Sequence, residues 1–125
     1  MLFSKQEIIN TYFNDNFTDC PVEYEGLRFE TPDTKEWISL FLLHESANKE
    51  AENGLFKIIC YSSSATLAFK LADKVKAFLD NVQFDGLSFG LGYGDGLGCS
   101  NLENGIYQTV VLFDVEAINV NCIKG

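Results

Sequence analysis

Residues 55–79 read LFKIICYSSSATLAFKLADKVKAFL, and the reading of this stretch decides the fold. Leu55 to Tyr61 is a near-continuous apolar run of strand length, rich in Ile and aromatics. Ser62, Ser63 and Ser64 form a polar break able to cap a helix. Leu67, Ala68, Leu71, Ala72, Val75, Phe78 and Leu79 then recur at three- and four-residue steps, so the spacing predicts a helix from about Ala65 to Leu79. Lys70, Asp73, Lys74 and Lys76 fall outside that stripe. A buried strand feeding an amphipathic helix implies a sheet with helices laid on it, the α+β class.

Upstream, Trp37 to His44 is a second apolar run, and the two runs read as a central hairpin. Pro21 opens an extended segment, Val22 to Tyr24, which Glu25 and Gly26 turn into Leu27 to Phe29 before Pro32 and Asp33 break the pattern. Ser4 to Glu7 has the spacing of a capping box. It starts a helix whose Ile8, Ile9, Tyr12, Phe13 and Phe17 share one stripe, with Asn10, Asn14 and Asp15 outside and an end near Asn16. Downstream, Leu87 to Phe89 is a short strand and Ile106 to Val115 the last one. There Tyr107, Thr109, Val111, Phe113 and Val115 alternate with Gln108, Val110, Leu112, Asp114 and Glu116, the pattern of a half-buried strand. The expected fold is one mostly antiparallel sheet with two helices packed on one face, as a single domain over residues 1–125 with residues 118–125 as a loose tail.

A length of 125 residues suits one core, and 46% apolar residues with 11 Phe, 5 Tyr and 1 Trp can fill it. Nine Lys plus Arg against 18 Asp plus Glu leave a net charge of −9. Such a field repels phosphate, which argues against a nucleic-acid reader, although an acidic wall suits DNA that must pass without sticking. Cys20, Cys60, Cys99 and Cys122 show no CxxC or CxH pairing, so no zinc site is expected. Met1 to Lys5 does not open a signal peptide, and no apolar run approaches bilayer-spanning length, so cytosolic thiols and no membrane partner are expected.

The sequence carries no recognisable motif for catalysis or for a cofactor. Gly90, Gly92, Gly94, Gly96 and Gly98 recur at every second position, so no GxGxxG frame fits, and the adjoining Cys99-Ser100 lacks the Lys of a phosphate loop. His44 is the only histidine, which removes the commonest triads and two-His metal sites. Asp73, Asp80, Asp85 and Asp95 share no helix or strand face, and the four cysteines, on separate elements, read as small core residues or bystanders and not as nucleophiles. No catalytic, cofactor-binding or metal-ligating residue is assigned, and no cofactor is expected. Two stretches stand apart as candidate functional loops: Glu45 to Asn53 and Gly90 to Gly98.

With helix, Pro21-Val22-Glu23-Tyr24-Glu25-Gly26, hairpin, helix and closing strand in that order, the chain resembles the tail terminators of long-tailed bacteriophages. Gly54-Leu55-Phe56-Lys57-Ile58 matches their GxFxI-type strand, and the likeness runs from about Glu7 to Ala117. The resemblance implies a non-enzymatic virion protein that forms a ring, usually a hexamer, on the head-proximal end of the tail tube. The ring stops tube growth and offers a docking face to the head connector or stopper, and DNA passes through its lumen without specific binding. Assembly would take place in the host cytoplasm. Between the two apolar strands, His44 to Gly54 offers more polar residues than a hairpin turn needs, which suggests a projecting arm. In this reading His44, Glu45, Asn48, Lys49, Glu50, Glu52 and Asn53 are its assembly contacts. Competing readings are a head-to-tail connector or tail completion protein, a small ligand-binding module with a cavity lined by Phe13, Phe41, Phe56 and Phe78, and a small enzyme using Cys99 or a carboxylate near the glycine-rich loop.

Overall fold

A computed structural model describes residues 6–24, 36–47, 51–84, 86–91, 99–102 and 105–118. Its elements in chain order are α1 (Gln6–Asn16), β1 (Val22–Tyr24), β2 (Trp37–Ala47), β3 (Ala51–Ser62), α2 (Ala65–Leu79), β4 (Gln83–Phe84), β5 (Leu87–Leu91), β6 (Cys99–Leu102) and β7 (Ile106–Ile118). All strands join one sheet in the order β1-β2-β3-β7-β5-β4, with β6 also paired to β7. β3 lies antiparallel to both β2 and β7, its register with β7 running from Ala51↔Ile118 to Ser62↔Tyr107. The other edge of β7 is shared end to end: β6 pairs with it from Ile106 to Thr109 and β5 from Phe113 to Ala117.

The α+β class is as the sequence implies, but the sheet is mixed. β1 runs parallel to β2, from Val22↔Ile38 to Tyr24↔Leu40, and Ile38 N donates to Pro21 O at 3.1 Å to start the ladder. Parallel neighbours need a crossover of about a dozen residues, and residues 25–36 supply that length.

One face of the sheet carries Ile38, Leu40, Phe56, Ile58, Cys60, Leu87, Phe89, Val111, Phe113 and Val115, all buried in a single cluster with Ile9, Phe13 and Phe17 of the α1 segment and Leu71, Ala72, Val75 and Leu79 of α2. Both helices therefore lie on that face. The strand rows meet across the register, Phe56 beside Phe113 and Ile58 beside Val111. Phe13 touches the rings of Phe17, Phe56 and Phe78, and so joins α1 to the sheet and to α2. Helix α2 starts where the serine break implies: Leu67 N donates to Ser64 Oγ at 3.2 Å.

Several expectations are corrected. Asn10 is buried, not outside, because Gln6 Nε2 donates to its Oδ1 at 2.8 Å and satisfies it. Leu67, counted in the buried stripe, is 41% exposed, since it lies at the stripe's margin. β2, β3 and β7 all run farther than their apolar runs, because pairing continues into polar residues; β7 ends at Ile118 instead of Val115, leaving residues 119–125 of the expected tail outside the described residues. β4 and β6 were not foreseen, being two and four residues long with little apolar alternation. The Ser4 capping box and the Leu27 to Phe29 strand lie outside the described residues.

Leu71 is 1% exposed under α2, so Leu71→Ala is expected to cost about 2–5 kcal/mol by urea unfolding. Leu67→Ala should change stability by less than about 0.5 kcal/mol. Equal midpoints for the two variants would show the helix to be rotated from this placement.

Candidate functional site

The stretch proposed as a projecting arm is mostly sheet. His44 pairs with Leu55, Glu45 with Gly54, Ser46 with Asn53 and Ala47 with Glu52, so only residues 48–50 separate β2 from β3. Pairing persists here because β7 continues alongside: Glu52 faces Ala117 and Asn53 faces Glu116. A register shift between Leu42 and His44 inserts one residue, a bulge that bends β2 at the entry to this end of the sheet. Thus His44, Glu45, Glu52 and Asn53 are drawn together as ladder residues at one end of the sheet, while Asn48, Lys49 and Glu50 lie outside the described residues. In the second candidate loop Gly90 belongs to β5, opposite Asp114, and residues 92–98 lie outside the described residues.

The sheet face turned away from the helices carries the more distinctive groups. Trp37 and Tyr61, cross-strand partners, stack with centroids 4.5 Å apart, and Lys57 Nζ lies 5.2 Å from the ring centre of Phe41. Phe41 therefore belongs to this outer face while Phe13 and Phe56 are wholly buried on the other, so the four phenylalanines offered as a ligand cavity do not line one. Ser39, also outward by register, is buried and donates to Glu23 Oε1 at 2.7 Å.

Toward the β5 side the outer face becomes acidic. Asp114 and Glu116 are exposed at alternate positions of β7, with Leu55 opposite Asp114 and Asn53 and Ser88 flanking Glu116. They line an open cleft of about 480 Å³ with Asn53, Asn81, Ser88 and Gly90. Asn81 adopts a left-handed φ of 60° and its N–H donates to Phe89 O at 3.0 Å, which fixes the far wall. A second cleft of about 450 Å³, lined by Glu7, Ile8, Thr11, Tyr12, Asp15, Asn16 and Phe84, runs along α1, where Tyr12 and Phe84 stack 3.9 Å apart. The sequence offered a signal for the acidic end, the polar termini of the last strand, but no signal for Asn81 or Ser88.

Cys20 and Cys60 are free thiols. Burial pushes the Cys60 thiol up to about 12, reinforced by Cys20; burial likewise raises Cys20 to about 12, helped by Glu36 and Asp19 and opposed by Lys74. A thiol held protonated at neutral pH is a poor nucleophile and a poor ligand. Cys99, named for a possible enzyme, lies in β6. Among the described residues no group of three or more His, Cys, Asp or Glu is placed to hold a metal ion, and no helix is long and apolar enough to cross a membrane.

No protein-family model and no curated protein matches the chain. In fold it is similar to a solved protein structure at 13% sequence identity and a TM-score of 0.56, with 91% of this chain and 95% of that chain covered. The likeness extends over nearly the whole of both chains and shows a common fold alone.

The thiols generate a pH-dependent expectation. Cys60 keeps its proton in the folded chain up to about 12 but loses it near 9.0 once unfolded, so between those values the unfolded state binds fewer protons and stability falls as pH rises. Below 9.0 the contribution is fully present. At neutral pH Cys60 should resist iodoacetamide in the native protein and react in urea, as read by peptide mass. The fall in urea midpoint between pH 9 and 12 should be shallower in Cys60→Ala than in the unaltered chain. Native labelling of Cys60 at the rate of a free thiol would contradict the placement.

Proposed function

We propose that this chain is a structural virion protein that forms a ring on the head-proximal end of a phage tail tube, ends tube polymerisation and presents a docking face to the head connector. The observation that carries the reading is the order of its sequence signatures: helix, PVEYEG strand, GLFKI strand, serine break, helix and closing strand. The fold is compatible with a closed ring, which needs two unlike surfaces on each subunit. Here one surface is the outward side of α2 and the other is the strand face turned away from the helices, which carries Trp37, Tyr61, Asp114 and Glu116. A net charge of −9 suits a lumen through which DNA slides without adhering, and it opposes premature association of free subunits. The ring acts by surface complementarity, with the tube protein on one side and the connector on the other.

The hairpin end remains the proposed assembly contact, now as a stiff ladder instead of a loop. Replacing Asn48-Lys49-Glu50 by Asn-Gly leaves every paired residue from His44 to Ala47 and from Ala51 to Gly54 in place. The variant should melt like the unaltered chain, within about 0.5 kcal/mol, yet yield particles with overlong or headless tails by electron microscopy. Normal tail lengths would remove residues 48–50 from the contact, and normal tails in particles lacking the whole chain would remove the terminator reading.

A further inference from the structure

The fold separates charge. Helix α2 carries Lys70, Lys74 and Lys76 against a single acid, Asp73, in a chain whose total is −9. Leu67, Lys70 and Lys74 lie at i, i+3 and i+7 and share one exposed flank. On that flank Leu67 is 41% exposed; the other exposed large apolar residue among those described, Phe69 at 42%, belongs to the same helix. Lys70 makes no ion pair with a described residue, and Lys74 reaches Asp19 only at 3.9 Å with both side chains half exposed, a surface pair easily exchanged for another partner.

Across the sheet from α2, the outer end of β7 shows the complement: Asp114 and Glu116 exposed, half-buried Leu55 and Leu112 beside them, and the cleft of about 480 Å³ open to a long side chain. The only cation of that face among the described residues, Lys57, is drawn over Phe41 on the β2 side. A basic flank with an apolar anchor thus lies on one side of the molecule, and an acidic surface with apolar neighbours on the other.

We infer that copies of this chain associate head to tail, the Leu67–Lys70–Lys74 flank of one copy seating on the Asp114–Glu116 end of the next. The contact is heterologous, since each copy uses both surfaces once, and such contacts close into rings or continue as filaments according to the rotation per step. Opposite local charges set the register, while the net repulsion between acidic bodies keeps the contact weak until copies are gathered. The inference supplies an interface for the proposed ring and rests on that reading only for closure, not for the contact itself.

Two reversed variants test it: Lys70→Glu with Lys74→Glu, and Asp114→Lys with Glu116→Lys. Sedimentation velocity at physiological salt, up to roughly millimolar protein, should show concentration-dependent association of the unaltered chain and at least ~10-fold weaker association of each variant alone. An equimolar mixture should recover it, because the acidic helix of one variant meets the basic sheet of the other and their unaltered surfaces also match. Both variants stay net acidic, at −9 − 4 = −13 and −9 + 4 = −5, so gross attraction does not account for recovery. All altered positions are exposed, and circular dichroism verifies folding; Lys70→Gln with Lys74→Gln, a milder pair, should weaken association by a smaller factor. An unaltered chain that stays monomeric, a mixture that stays monomeric, or undiminished association of the helix variant would overturn the inference. Recovery by the mixture without rings or capped tubes leaves this contact standing and removes the terminator reading; capping by the helix variant does the reverse.

Discussion

The pairing of β3 with β7 is the contact on which the remaining structure depends. It spans Ala51↔Ile118 to Ser62↔Tyr107, and because side chains alternate along each strand it sets which residues of both strands reach the core. A shift of one residue would turn Val111, Phe113 and Val115 outward and bring Asp114 and Glu116 beneath the helices. Burying two carboxylates without partners costs far more than any alternative register returns. The register fixes the floor on which α2 packs, and β7 then supplies the edge to which β5 and β6 attach.

Two unlike surfaces arise from that floor. The helical layer uses its apolar stripe on the sheet and turns lysines outward; the side of the sheet turned away from the helices keeps aromatic rows near β2 and carboxylates near β5. A small domain with one helical layer cannot avoid such polarity, because a single layer covers only one side of a sheet.

Much of the core was legible because it is periodic. The α2 stripe, the alternation in β7 and the apolar runs of β2 and β3 each state which side is buried, and Ala68, Leu71, Val75, Ile58, Val111 and Phe113 are buried accordingly. Strand ends were less legible: hydrogen bonding carried β2 through Ala47 and β3 back to Ala51, across residues whose polarity reads as loop. The parallel direction of β1 has no counterpart in any period, since alternation states which side of a strand is buried and not which way the strand runs beside its neighbour. The outer acidic end was half visible, in Asp114 and Glu116; its other walls come from Asn81 and Ser88, brought near by pairing of β5 with β7.

The register of β3 with β7 also dictates when the molecule can fold. The innermost pair of that ladder, Ser62 and Tyr107, is 107 − 62 = 45 residues apart, and the helix and short strands between them lie inside the loop that this pairing closes. The loop entropy must be met before the ladder returns any free energy, which slows folding relative to domains built from local contacts. During synthesis the β2–β3 hairpin emerges with one edge of β3 open, and it stays open until β7 has left the ribosome. Throughout that interval the apolar edge of the central strand is available to other nascent chains, so yield on overexpression should depend on translation rate and temperature more steeply than the stability of the finished fold would suggest.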